Sequence, residues 1–221
     1  MKNLMALLKL DIIYIKTYWQ WVLMFIGISI VLGISMQNGP NFLINLTIFL
    51  VVITLFPFES MDKGLNILYG SLPTNRKSII TGRYIFLLIV LSVLVVGGML
   101  GGIVLELIFQ DSIDMTGMLT GLAICVGTFL IFTGWNAPFL FKYGYARGRF
   151  FFWGFIGVIM LVIYLPNLLD AFGVREANRF SLLRIAFENY TTTSIIMLSV
   201  GVAAFAVSFF LSQKIYSKKD F

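Results

Sequence analysis

Residues 84–108 read YIFLLIVLSVLVVGGMLGGIVLELI. Until Glu106 near its end, the run holds no charge. A helix needs roughly 20 apolar residues to cross roughly 30 Å of hydrocarbon, and this stretch is long enough. Ile85–Val96 is apolar at nearly every position, without the alternation of a membrane barrel strand. Lipid offers the backbone no hydrogen-bond partner, so the run must be helical.

Five further apolar runs flank it, around Thr17–Met36, Phe42–Phe58, Met118–Phe141, Phe150–Leu169 and Ser194–Ser212. The first starts too late and runs too long for a cleavable signal. No soluble-sized stretch remains among the 221 residues, of which 59% are hydrophobic and 12% charged, with mean hydropathy +0.95. A soluble domain is about one quarter charged, so an ordinary soluble enzyme and a disordered chain are excluded. The expected fold is all-α: one transmembrane domain over residues 1–221 with six spans.

The few charges orient it. Lys2, Lys9 and Lys16 precede span one; Lys63, Arg76, Lys77 and Arg83 follow span two; Lys142, Arg147 and Arg149 follow span four; Lys214, Lys218 and Lys219 close the chain. Only Arg175, Arg179 and Arg184 of the 16 basic residues fall on the other side. Basic loops stay cytoplasmic, which predicts both termini inside. The net charge of +6 then reflects the membrane face, and nucleic acid is not an expected partner. Tyr14, Tyr18, Trp19 and Trp21, and the rings between Phe139 and Trp153, fit headgroup level.

Two segments read as interfacial. In residues 1–16 the three lysines recur every seven positions beside Leu4, Leu7, Leu8, Ile12 and Ile15, an amphipathic helix on which Asp11 occupies the wrong face. Residues 170–193 read as an extracellular or re-entrant helix, with Phe180, Leu183 and Phe187 at helical spacing; an ordered loop is the plainer alternative.

Chemistry is sparse. Histidine is absent and Cys125 is alone in an apolar run, so His-based acid–base catalysis, His metal sites and disulfide frameworks are excluded. The chain has no GxxxxGK[ST] motif, hence no nucleotide hydrolysis of its own. No catalytic, cofactor or metal residue is assigned, and the chain is not expected to be an enzyme. Asn45, Thr47, Thr54 and Asn136 are mild polar groups that either line a path or tie helices together. Gly97, Gly98, Gly101 and Gly102 form overlapping GxxxG patterns suited to close helix packing. Pro138, in Trp135-Asn136-Ala137-Pro138, marks a possible break in span four.

The informative segment is residues 59–83, ESMDKGLNILYGSLPTNRKSIITGR. Leu65, Ile67, Leu68 and Tyr69 suit a short amphipathic helix, Gly70 ends it, and Leu72-Pro73 turns the chain. Arg76, Lys77 and Arg83 are expected to anchor the next helix at the cytoplasmic headgroups. An apolar patch rimmed by polar residues suggests a protein partner.

With Glu59 before it, the stretch carrying Leu72, Pro73, Arg76, Lys77, Gly82 and Tyr84 resembles the permease subunits of type-2 ABC transporters; Arg83 stands where lysine is common. Without large extracellular domains the chain is similar to the small bacterial exporter branch, such as phenol-soluble modulin or lantibiotic exporters. The resemblance implies a cytoplasmic coupling helix that docks a separate ABC ATPase, with Glu59, Leu65, Leu68, Tyr69, Leu72, Pro73, Arg76 and Lys77 as coupling residues. It also implies a second permease copy, as homodimer or paralogue heterodimer in the lipid bilayer. ATP and Mg would sit on the ATPase, and no cofactor on this chain. The expected function is ATP-driven export of a hydrophobic or amphipathic peptide or drug across the bacterial cytoplasmic membrane. The alternative is a stand-alone channel or membrane-organising protein without nucleotide dependence; a membrane-embedded enzyme ranks third.

Overall fold

The computed structural model describes residues 11–13, 16–36, 39–60, 76–109, 114–171 and 190–217. Regular structure among them is helical: α1 Trp19–Met36, α2 Gly39–Ile53, α3 Phe56–Ser60, α4 Arg76–Phe109, α5 Met115–Ala171 and α6 Tyr190–Ser217. All six apolar runs thus lie on helices. Lys77–Phe109, Met115–Gly154 and Tyr190–Ser217 are long and apolar enough to cross a membrane, and Trp19–Ser35 and Phe42–Ile53 are shorter apolar helices.

Two departures from the expected runs have local causes. The second run is broken: α2 stops at Ile53, and Leu55 N–H reaches back only to Val52 C=O (3.0 Å) before α3 begins. Pro57 has no N–H to give Ile53 C=O, which favours an interruption at this point. In α5 the expected break at Trp135–Pro138 does not occur. The chain stays helical through Pro138, and its one non-helical residue is Gly144, at φ 79° and ψ 174°. That conformation is essentially restricted to glycine.

Gly144 reverses the chain. The ring of Phe139 stacks on Phe151 at 4.6 Å, and Phe132 meets Phe152 at 6.3 Å. A straight helix would set residues 132 and 152 about 30 Å apart. Segments 115–143 and 145–171 are therefore the two arms of a hairpin, as the expected fourth and fifth runs require.

Ring and glycine contacts fix the directions of the other helices. Phe25 stacks on Phe49 at 5.0 Å, and a Cβ built on Gly33 would fall 3.1 Å from Phe42, so α1 and α2 are antiparallel. Gly98 and Gly101 of α4 face Leu43 and Phe42 of α2, where a side chain would collide. At this end Glu106 Oε2 accepts the N–H of Asp114 (3.1 Å), and Asp114 Oδ1 accepts that of Gly117 (3.0 Å). Asp114 thereby caps α5.

The tightest seam joins the first arm of α5 to α6. A Cβ on Gly127 would lie 2.5 Å from the Met197 backbone, one on Gly134 3.2 Å from that of Ala204, and one on Gly201 2.7 Å from Gly127 O. The matched rise in numbering shows that the two helices run parallel. The core is formed by Leu46, Leu50, Leu87, Leu94, Phe129 and Phe141, whereas Val93, Val96, Leu100 and Phe210 point outward. Packing of a membrane bundle relies on such small-residue approach, because lipid supplies no hydrophobic drive between helices.

A candidate coupling site at the root of segment 61–75

Helix α3 ends at Ser60 and α4 starts at Arg76, and the residues around both ends meet in one cluster. Phe58 packs edge-on against Phe141 (5.3 Å), which packs against Tyr216 at the end of α6 (5.7 Å). Tyr18 stacks on Phe56 (4.9 Å) and donates its hydroxyl to Glu59 Oε2 (3.4 Å). One end of the bundle thus gathers the start of α1, α3, the start of α4, the Gly144 turn and the end of α6. Among the described residues, Lys16, Lys77, Arg83, Lys142 and Lys214 belong to this end.

At its centre is an ion pair. Arg83 Nη1 lies 2.6 Å from Asp11 Oδ1, with the two side chains 2% and 4% exposed. The guanidinium also lies over the Phe58 ring, 5.4 Å from its centroid. Burial pushes the Asp11 carboxyl up from 3.8 to about 6, while Arg83 pulls it the other way. Desolvation therefore outweighs the attraction, as is common for ion pairs taken out of water.

This corrects the expectation for Arg83. It is buried and bound to the segment before α1, not anchored at headgroups. It also explains Asp11, whose position is wrong for a helix lying flat on a membrane and right for one held by Arg83. Tyr84, next in sequence, shares hydrogen bonds with Ser208 (2.6 Å) and Ser212 (2.9 Å), and its ring packs edge-on against Phe205 and Phe209. The Gly82-Arg83-Tyr84 element thus ties α4 to two neighbours. Ser208 and Ser212, four apart on an apolar helix, were the signal in the sequence; for Asp11 it was the misplaced charge.

Leu65, Leu68, Tyr69, Leu72 and Pro73 lie outside the described residues, as do the Arg76 side chain, residues 1–10 and 172–189, and hence most of both interfacial segments. Lys77 is exposed on the first turn of α4, where its carbonyl accepts the Thr81 hydroxyl (2.9 Å).

The chain matches the family model described as ABC-2 family transporter protein over residues 6–217. The chain belongs to the ABC-2 transporter family. It is thus the membrane domain of an ABC transporter, a permease rather than a catalytic subunit, and the family works in general with an ABC ATPase. Neither the curated proteins nor the solved structures give a match.

The polar residues inside this ABC-2 permease bond mainly to their own helices. Thr47 donates to Leu43 C=O (2.7 Å), Thr54 to Val51 C=O (2.6 Å) and Asn136 Nδ2 to Phe132 C=O (2.8 Å). Thr54 and Asn136 come together, with Thr133, around a cavity of about 10 Å³, room for one water. Asn136 Oδ1 is buried there without a partner among the described residues. Asn45 and Thr47 do not line it. Of the four glycines singled out in the sequence, Gly98 and Gly101 meet α2, a Cβ on Gly97 would meet nothing within 4 Å, and Gly102 is buried.

Proposed function

We propose that this permease is the membrane half of an ATP-driven exporter in a bacterial cytoplasmic membrane. Its six helical passes cross the bilayer with both termini cytoplasmic, and segment 61–75 docks a separate ABC ATPase that holds ATP and Mg. Two copies, or this chain and a paralogue, form the path for a hydrophobic or amphipathic peptide or drug. The observation that carries this reading is the family match over residues 6–217. It is supported by the way both roots of segment 61–75 are held: Glu59 by Tyr18, and Arg83 by Asp11.

A rigid root is what a coupling element needs. Displacement of a docked segment must reach the helices rather than dissipate in the loop, and a change of state requires contacts that differ between the two states. The Asp11–Arg83 pair extends the lever to the segment before α1. The test is co-purification with a candidate ABC ATPase subunit expressed together with this chain. Leu68→Asp with Tyr69→Asp should abolish capture while the permease still elutes as a folded species; unchanged capture refutes the docking assignment.

A further inference from the structure

Beyond the ion-pair root lies a groove that the transport reading does not use. It runs between the first arm of α5 and α6, has a volume of about 440 Å³, and is walled by Ile131, Trp135, Phe139, Val207 and Leu211 among others. Positions 131, 134, 135, 138, 139 and 142 on one helix and 204, 207, 208, 211 and 215 on the other each follow a single helical face. Because the helices are parallel, both walls run from residues 131 and 204 to residues 142 and 215, about 17 Å at helical rise.

The groove is chemically lopsided. Its wall is apolar until the last position, Lys142, and its one hydroxyl, on Ser208, already bonds Tyr84. The Lys142 ammonium lies 4.9 Å from the centroid of the Tyr143 ring. Lys214 neighbours the lining residue Ile215, and Arg147 and Arg149 follow on the Gly144 turn; all four bases are exposed. Among the described residues no carboxylate pairs with Lys142 or Lys214. An apolar slot of acyl-chain length that ends in positive charge offset by no described carboxylate, beside a tyrosine, has the polarity of one ligand class.

We infer that this groove binds an anionic phospholipid, with an acyl chain along Trp135, Val207 and Leu211 and the phosphate at Lys142, supported by Lys214. The inference depends on membrane location alone, so it stands or falls separately from the docking of an ATPase. A second permease copy is less suited as occupant, since the described bases at the mouth would meet their own kind across a symmetric contact.

Trp135 is a built-in reporter. A variant with Trp19, Trp21 and Trp153 changed to Phe, in detergent micelles, is titrated with brominated phosphatidylglycerol and with brominated phosphatidylcholine. One lysine near an anionic lipid surface is worth about fivefold in affinity. Phosphatidylglycerol should therefore quench Trp135 at about fivefold lower concentration. Lys142→Gln should erase the difference and Lys142→Arg should keep it. Equal quenching by the two lipids, or an unaffected Lys142→Gln, overturns the proposal. Should the triple variant fail to fold, the unmodified protein serves: phosphatidylglycerol must raise its melting temperature more than phosphatidylcholine does, and Leu211→Trp, which fills the slot, must remove that gain. Equal protection by inorganic phosphate alone, or a change of oligomeric state in Leu211→Trp without any lipid effect, counts against it.

Discussion

The Asp11–Arg83 pair is the most exacting place to test the structure. Asp11→Ala takes the carboxylate away from a guanidinium that is 2% exposed. Removing one partner of a buried pair costs about 3–5 kcal/mol, whereas replacing both by apolar groups is often neutral. For a chain of this length, 1 kcal/mol moves the melting temperature by about 2–4 °C. The single variant should therefore melt roughly 6–20 °C below the parent, and Arg83→Met alone should also melt lower. The double variant, Asp11→Ala with Arg83→Met, should recover most of the loss, because no charge is then stranded and the methionine stem still packs on Phe58. The assay is a thermal scan of tryptophan fluorescence in detergent across the four members of the cycle. If Asp11→Ala melts with the parent, or if the two losses simply add, the pair does not hold the segment before α1 to α4.

Other outcomes follow from the same contacts. Because the folded Asp11 carboxyl titrates near 6 rather than 3.8, the fold binds that proton more tightly than the unfolded chain does. Its contribution is therefore full below about pH 4 and falls by about 3 kcal/mol as pH rises through 6; melts at pH 4, 5, 6 and 7 should show the decline in the parent and not in Asp11→Asn. Tyr84→Phe removes the hydroxyl shared with Ser208 and Ser212 and should cost about 1–3 kcal/mol, measured by the same scan. Gly127→Val drives a side chain into the Met197 backbone and should abolish the monodisperse chromatographic peak, whereas Gly97→Ala, with open space around it, should be neutral or up to about 1 kcal/mol stabilising. Gly144→Ala forces an L residue to φ 79° and should cost about 1–3 kcal/mol, read as a lower melting temperature with helix content unchanged by circular dichroism.

How much was legible in the sequence varied with the physics involved. Lipid leaves the backbone no alternative to helix, so the six apolar runs could be read directly as helices. The break after Ile53 was written in Pro57. The turn in the middle of α5 was not assigned to a residue, because Pro138 is the louder signal and a positive φ leaves no trace beyond one glycine among 20. The candidate site was legible in its charges but not in their pairing. Arg83 sits in a basic segment that reads as headgroup anchor, and only its neighbour across 72 positions, Asp11, reverses that reading. The glycines showed the same limit: GxxxG at 97–102 caught the eye and meets side chains, while Gly127, Gly134 and Gly201, spread over two helices, bring backbone against backbone.

That seam also limits what can move. Where backbone lies on backbone, sliding by even one residue brings a Cβ or a carbonyl into a space that holds none, so the first arm of α5 and α6 behave as a single beam. Tyr84 bolts the foot of α4 to the same beam. Among the described residues, the interrupted helix at Thr54–Leu55, just before Phe58 and Glu59, is left as a deformable joint. The described part of the bundle thus pairs a stiff back with an elbow.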